Sequence, residues 1–235
     1  MIEHLKWDSD FFGKKTGKVI ANNKNLSDLI EEAHINEYEI VYIVYEGVKP
    51  ENDLCESNGL YLSDIQISVS MNFNKKLNSI GYYECINSLD EHDYQDALEI
   101  VRSTASVSRF FNDKNFNPEK IRDMYGYWLD NALNGSFSDG IFVERVNGRI
   151  GGVVIVKTDE RARLTLMGVN PEMKRHGLGR KLLSQVLSYW ADMEKEFGKI
   201  YSIFSLNNLE SFRYHMRTEF TNIEDIKYIY HYIRK

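Results

Sequence analysis

Two rhythms of apolar residues alternate along the chain. In residues 26–36, Leu29, Ile30, Ala33 and His34 fall on one face at three- and four-residue spacing. This predicts an amphipathic helix with Ser27 as its cap. Residues 39–48 (EIVYIVYEGV) form a β-branched and aromatic run, a strand by type, and residues 60–73 alternate in part and read as another. Ahead of them, the aromatic stretch from Trp7 to Gly13 reads as a turn, and Val19-Ile20 begins an extended segment. The short polar stretch 74–79 is the best boundary, so residues 1–78 predict a small α+β unit and residues 79–235 a larger domain.

The second segment opens with a strand at 82–86, a capping stretch at 88–93 and a helix at 94–105. A further helix over Pro118–Leu133 carries proline near its start, and Ile121, Met124, Tyr125, Trp128, Leu129 and Leu133 repeat at three and four. Three strand-like runs follow at 140–145, 150–157 and 163–169, with Asn147-Gly148 as a hairpin turn between the first two. Residues 179–197 predict a long amphipathic helix with Leu182, Leu183, Val186, Leu187, Trp190 and Ala191 inward. A strand at 200–205, a helix at 209–217 and a strand at 225–233 close the chain. Exposure of that last strand at a sheet edge predicts pairing with a second copy, a homodimer.

Composition changes this picture little. Hydrophobic residues make up 43% and charged residues 27%, which excludes a disordered chain. A net charge of −6 argues against partners such as nucleic-acid polymers or anionic membranes. Charge begins at residue three and no run approaches a membrane span, so the expectation is a cytoplasmic protein without a signal peptide. Cys55 and Cys85 have neither disulfide-framework nor metal spacing, and no metal is expected.

Candidate chemistry concentrates between Leu164 and Leu183. A strand ends at Val169, the chain turns through Asn170-Pro171, and Gly177 and Gly179 open the long helix. Such a helix start aims unpaired N–H groups outward and favours anions, and glycine lets a phosphate approach the backbone. Lys174, Arg175, His176, Arg180 and Lys181 surround it. The spacing is neither the dinucleotide fingerprint GxGxxG nor a phosphate loop ending in GK[ST]. From Arg161 to Lys181 there are six cationic side chains against Glu172 alone, a net of +5 that leaves −11 on the rest. A negative body around one basic helix start suits a small polyanion.

The segment resembles the acetyl-CoA motif of the GNAT superfamily of N-acetyltransferases. That signature is arginine or glutamine, two residues, glycine, any residue, then glycine or alanine, after a strand with a V-x-P-like turn. Here it reads Lys174-Arg175-His176-Gly177-Leu178-Gly179 after Val169-Asn170-Pro171, with Lys174 departing from the usual residue and Arg175 beside it offering a planar fork. The resemblance implies an α/β (α+β) fold: a mixed, mostly antiparallel twisted sheet flanked by helices. It also implies that Met167, Gly168 and Val169 splay from the next strand and bond the pantetheine. A second family motif resembles the stretch from Asn208 to Phe220. Asn208 matches, His215 stands where the family's tyrosine protonates the leaving thiolate, Tyr214 is one place earlier, and Glu219 replaces a glycine.

Leu5–Gly13, Ser108-Arg109-Phe110, Tyr127–Ala132 and Gly135-Ser136-Phe137 are similar to the TDP-fucosamine acetyltransferase group. That group acetylates the 4-amino group of a nucleotide-linked 4-amino-4,6-dideoxyhexose. The resemblance implies an acyltransferase with acetyl-CoA as co-substrate, His215 or Tyr214 as acid, and Trp7, Phe11 and Arg109 at the nucleotide amino sugar. Another amine acceptor, and an acetyl-CoA-binding module without catalysis, remain open alternatives.

Overall fold

The computed structural model describes residues 1–22, 24–74, 81–111, 113–194 and 196–234. In chain order the elements are β1 (Glu3–His4), α1 (Lys6–Phe12), β2 (Thr16–Ile20), α2 (Leu26–Ile35), β3 (Ile40–Glu46), α3 (Asn52–Ser57) and β4 (Tyr61–Asn72). They continue with β5 (Cys85–Ile86), α4 (Glu91–Thr104), α5 (Pro118–Leu133), β6 (Gly140–Val146), β7 (Arg149–Thr158) and β8 (Ala162–Val169). The last are α6 (Leu178–Asp192), β9 (Lys199–Ser205), α7 (Leu209–Met216) and β10 (Asn222–Ile233). Short 3-10 turns lie at Ala105–Val107 and Pro171–Met173.

All ten strands join one sheet in the order β1-β2-β3-β10-β4-β9-β8-β7-β6-β5. Among the described residues only β2–β3 and β8–β9 are parallel. The mixed, mostly antiparallel α/β architecture is therefore as expected. The division between 1–78 and 79–235 falls within residues 75–80, outside the described residues, and the sheet runs through both segments. The final strand is not an edge: β10 pairs with β3 from Lys227 to Ile233 and with β4 from Asn222 to His231. Its backbone groups are taken on both sides, which removes the basis for the edge-paired homodimer.

Helices cover both faces. Along β3, β10 and β7 the side chains alternate between them. Val41, Ile43, Tyr230, Tyr232, Val154 and Val156 meet α2, α3 and α6, with α7 packed beside β9 on the same face. Ile40, Tyr42, Val153 and Ile155 meet α1, α4, α5 and the residues Ala105, Phe110 and Phe116. Each fully buried aliphatic or aromatic side chain contributes about 1.5–3 kcal/mol to this packing. Trp190 of α6 is 0% exposed and its indole donates to Thr158 Oγ1 at 3.0 Å.

Local chemistry adjusts several boundaries. Asn25, rather than Ser27, caps α2: its side chain accepts from the Ser27 N–H. Asp90 caps α4 and Asn117 caps α5 in the same way. The aromatic turn at Trp7 is a helix, α1, closed by Gly13 at φ 66°. The helix after the glycines stops at Asp192. Cys55 and Cys85 are free, one buried and one exposed. No described helix is long and apolar enough to cross a membrane.

His231, 0% exposed, fixes the centre of the sheet. Its Nδ1 donates to Asp113 Oδ2 at 2.7 Å, the rings of Tyr42, Phe110 and Phe116 surround it, and Nε2 has no partner among the described residues. Burial, outweighing the Asp113 contact, lowers its pKa to about 4. His215 is lowered by burial too. An unfolded histidine titrates near 6.5, so between these values the unfolded chain binds more protons, and stability falls as the pH drops. We expect Tm to decline from about pH 7 to about pH 5, and a flat thermal-unfolding profile over that range contradicts these neutral buried histidines.

Candidate active site

β8 and β9 begin as neighbours and then part. Their pairing consists of Ala162 with Ile200 and Arg163 with Tyr201. On its other side β8 stays paired with β7 as far as Val169, and β9 stays paired with β4 as far as Ser205. A wedge therefore opens between the C-terminal ends of the two strands. Met167, Gly168 and Val169 form one wall, with backbone groups available to an extended amide chain.

Glycines set the depth of this wall. A Cβ on Gly168 would stand 2.8 Å from Ile100 Cγ2 and 2.9 Å from Thr104 Cγ2, so α4 lies directly on the β8 backbone. On β7, a Cβ at Gly151 would meet Met173 Sδ at 2.9 Å, and one at Gly152 would meet Leu182 Cδ1 at 3.0 Å. This pair lets the loop after β8 and the helix α6 settle onto the sheet. A Gly-Gly within a strand run was the available signal for that close approach, and sequence reasoning passed over it.

The loop itself is built from local bonds. The Asn170 N–H donates to Gly151 O at 2.9 Å, and the Asn170 side chain accepts from the Glu172 N–H. Arg175 at φ 69° and Gly177 at φ 74° are both left-handed, bracketing His176. Left-handed residues on either side of one with negative φ turn N–H groups toward one concavity, an anion nest. The N–H groups of Arg180 and Lys181 bond to Gly177 O and that of His176 closes the turn at 174–175, whereas those of residues 177–179 have no backbone partner among the described residues. Leu178 anchors the helix start, 3% exposed. Arg175, His176 and Arg180 are exposed around the nest, and His176 Nδ1 lies 3.1 Å from Met173 O. Lys174 Nζ lies 2.6 Å from Glu210 Oε2, tying the loop to α7.

Tyr214 and His215 point different ways. The Tyr214 hydroxyl donates to Gly179 O at 3.1 Å. A Cβ on Gly179 would sit 3.2 Å from the Tyr214 ring and 3.9 Å from Met167 Sδ, so these three residues meet at the mouth of the wedge. Burial raises the Tyr214 phenol above its ordinary pKa, opposed by Arg180. His215 is 4% exposed and stacks on Phe204 at 4.7 Å. Its Nδ1–H donates to Ser211 O at 2.7 Å, which leaves Nε2 to accept from Ser202 Oγ at 2.9 Å. Both ring nitrogens of His215 are thus occupied inside the α7–β9 packing, whereas the Tyr214 hydroxyl faces Gly179 at the wedge. Asn208 caps α7, accepting from the Ser211 N–H at 3.0 Å.

Trp7, Phe11 and Arg109 come together on the α5 face. Trp7, 41% exposed, stacks on Phe11 at 5.1 Å, and Phe11 meets Tyr127 edge-on. The Arg109 guanidinium lies 4.7 Å from the Tyr42 ring and 4.4 Å from the Phe110 ring. Its Nε is buried without a hydrogen-bond partner among the described residues. Burial raises the pKa of Asp8 nearby, with Arg109 opposing, and Tyr42 donates to Asp8 at 3.3 Å. On α4, His92, Asp93 and Asp96 also gather, and the two carboxylates pair with Arg145 and Arg149.

Residues 104–220 match the acetyltransferase (GNAT) family. The spore coat polysaccharide biosynthesis protein SpsD of Bacillus subtilis (strain 168) is 24% identical over 139 residues, covering 59% of this chain and 47% of that protein. The chain thus spans about half the length of that curated relative. A conserved protein of unknown function from Staphylococcus epidermidis ATCC 12228 shares the fold with a TM-score of 0.62 at 14% identity, covering 94% of this chain and 85% of that one. A tandem GNAT protein from the clavulanic acid biosynthesis pathway does so with a TM-score of 0.58 at 12% identity, covering 94% and 76%. With the family match spanning the wedge, the nest and Tyr214, the chain carries an acetyltransferase domain of the GNAT family, whose acyl donor is acetyl-CoA.

Proposed function

We propose that this chain moves the acetyl group of acetyl-CoA to the 4-amino group of a nucleotide-linked 4-amino-4,6-dideoxyhexose. The observation that carries the transfer is the convergence of the β8–β9 wedge, the unpartnered N–H groups of residues 177–179 and the Tyr214 hydroxyl. The nest, with Arg175, His176 and Arg180 around it, suits the CoA pyrophosphate. The wedge wall, Met167 to Val169, suits the pantetheine amides, and one of its N–H groups holds the oxyanion as the neutral amine attacks the thioester carbon. When the C–S bond breaks, Tyr214 protonates the sulfur. Asn208 acts by fixing the start of α7, and so the position of Tyr214.

For the acceptor, the Trp7–Phe11 stack offers a platform for a flat base, and Arg109 offers a guanidinium for a diphosphate. The polysaccharide role in the name of the Bacillus relative supports a sugar acceptor. Calorimetry with CoA, followed by thiol release from acetyl-CoA across nucleotide amino sugars and small amines, tests the reading. We expect release with the 4-amino sugar and none with its 4-hydroxy counterpart. Release only with another amine replaces the acceptor, and CoA binding without release from any amine leaves a binding module.

A further inference from the structure

Asp64 is a buried carboxylate that the reaction as derived so far does not use. It is 3% exposed and lies on β4, the strand from the N-terminal segment that sits directly beside β9. Its Oδ1 accepts from the Ser205 hydroxyl at 2.5 Å, and this is its one hydrogen bond among the described residues. No cation lies within ion-pair distance of it among those residues. A buried carboxylate left with a single neutral donor is costly to desolvate.

Its position gives that work a direction. Ser205 is the last residue of β9, well past the point where β8 departs. Adjacent strands lie about 4.8 Å apart, so a group on β4 is one strand spacing from the wedge, with the Ser205 hydroxyl between. Asp64 pairs across the sheet with Ile229, two residues from His231, which puts the carboxylate on the α4–α5 face. This is the face that carries Arg109 and the Trp7–Phe11 stack, whereas α6 and its nest lie on the other. Tyr125 of α5 senses both Asp64 and Arg109: burial pushes its phenol up to about 12, with Arg109 lowering it and Asp64 raising it.

We propose that Asp64 takes the acceptor's proton through Ser205. The inference rests on the reading that the chain acetylates an amine. As the amine nitrogen bonds to the thioester carbon, its proton passes to Ser205 Oγ while the Ser205 hydroxyl proton passes to Asp64 Oδ1. When the tetrahedral carbon collapses, the C–S bond breaks and the sulfur takes a proton from Tyr214. Asp64 then releases its proton to solvent and Tyr214 regains one, so amine and acetyl-CoA yield amide and free thiol with the protein unchanged. The base thus comes from the N-terminal segment, outside the region that matches the family.

The test uses the full chain and two acceptors, the nucleotide-linked 4-amino-4,6-dideoxyhexose and ethanolamine. Asp64→Asn should lower kcat for thiol release by about 100-fold or more with whichever amine the wild type uses. The Kd for CoA should stay within about twofold, and Ser205→Ala should lose about 10-fold. Because burial makes folding a concern, Asp64→Gly is assayed with and without formate, and partial rescue by the small carboxylate is a result that a purely structural role does not produce. Asp64→Asn within about threefold of wild type, or a loss that formate does not reverse, overturns the assignment. Wild-type activity with ethanolamine and not with the sugar removes the sugar reading and leaves Asp64 tested. No release from either amine overturns both.

Discussion

Tyr214→Phe is expected to lower kcat for acetyl transfer by about 10- to 100-fold, while His215→Ala acts mainly by lowering thermal stability. The two residues are neighbours in sequence, yet one helical step turns successive side chains by about 100°. Tyr214 looks over Gly179 and Met167 at the wedge, with its proton on the Gly179 carbonyl. Phenylalanine keeps the ring against Gly179 and removes only that proton. Burial makes the Tyr214 phenol a weaker acid, and it equally makes a thiolate released beside it a stronger base, so the transfer at C–S cleavage is driven by the sulfur's need for a proton. His215→Ala instead deletes a stacked ring, strands the Ser202 hydroxyl and opens a cavity beside Phe204 and Phe220, a loss of about 2–4 kcal/mol. Thiol-release kinetics and melting curves on both variants separate the effects. Equal kcat in Tyr214→Phe and wild type sinks the acid assignment, and a large kcat loss in His215→Ala with an unchanged Tm returns the role to the imidazole.

That comparison also marks where sequence reading reached and where it stopped. The order of elements from α4 onward follows from local periodicity, and the Asn147-Gly148 turn has the positive φ values, 52° and 82°, that a two-residue hairpin needs. The basic, glycine-opened helix start was legible because its chemistry is contiguous in the chain. The insertion of β10 between β3 and β4 was not, since Tyr42 and His231 meet across nearly the whole chain and no local pattern encodes the pairing. The Trp7–Gly13 stretch carries no helix signal in its sequence because no side chain caps α1: Leu5 stands at its N-cap. The sequence leaves the phase of α7 open by one residue, and the His215–Phe204 stack sets which of the two side chains turns inward. Asp64 was hidden in a strand whose alternation reads as polar-outward, although that polar face looks onto the face of α5.

The nest makes the second large prediction. Gly177→Val should raise the Kd for CoA by about 10-fold or more. A Cβ at this position meets nothing within 4 Å, so the effect is conformational rather than steric. A β-branched residue resists the φ of 74°, at a cost of about 1–2 kcal/mol, and relaxing it turns the N–H groups of residues 177–179 away from their common focus. Gly13→Val is the matched control. Gly13 has φ 66°, also meets nothing within 4 Å, and closes α1. Both variants should lose similar stability, and only Gly177→Val should lose CoA in calorimetry. Equal weakening of CoA in the two variants means that the loss follows general destabilisation, and the backbone donors then carry little of the pyrophosphate. A weakening confined to Gly177→Val, with no further loss on adding Arg175→Ala, assigns the binding to the backbone rather than to the exposed cations around it.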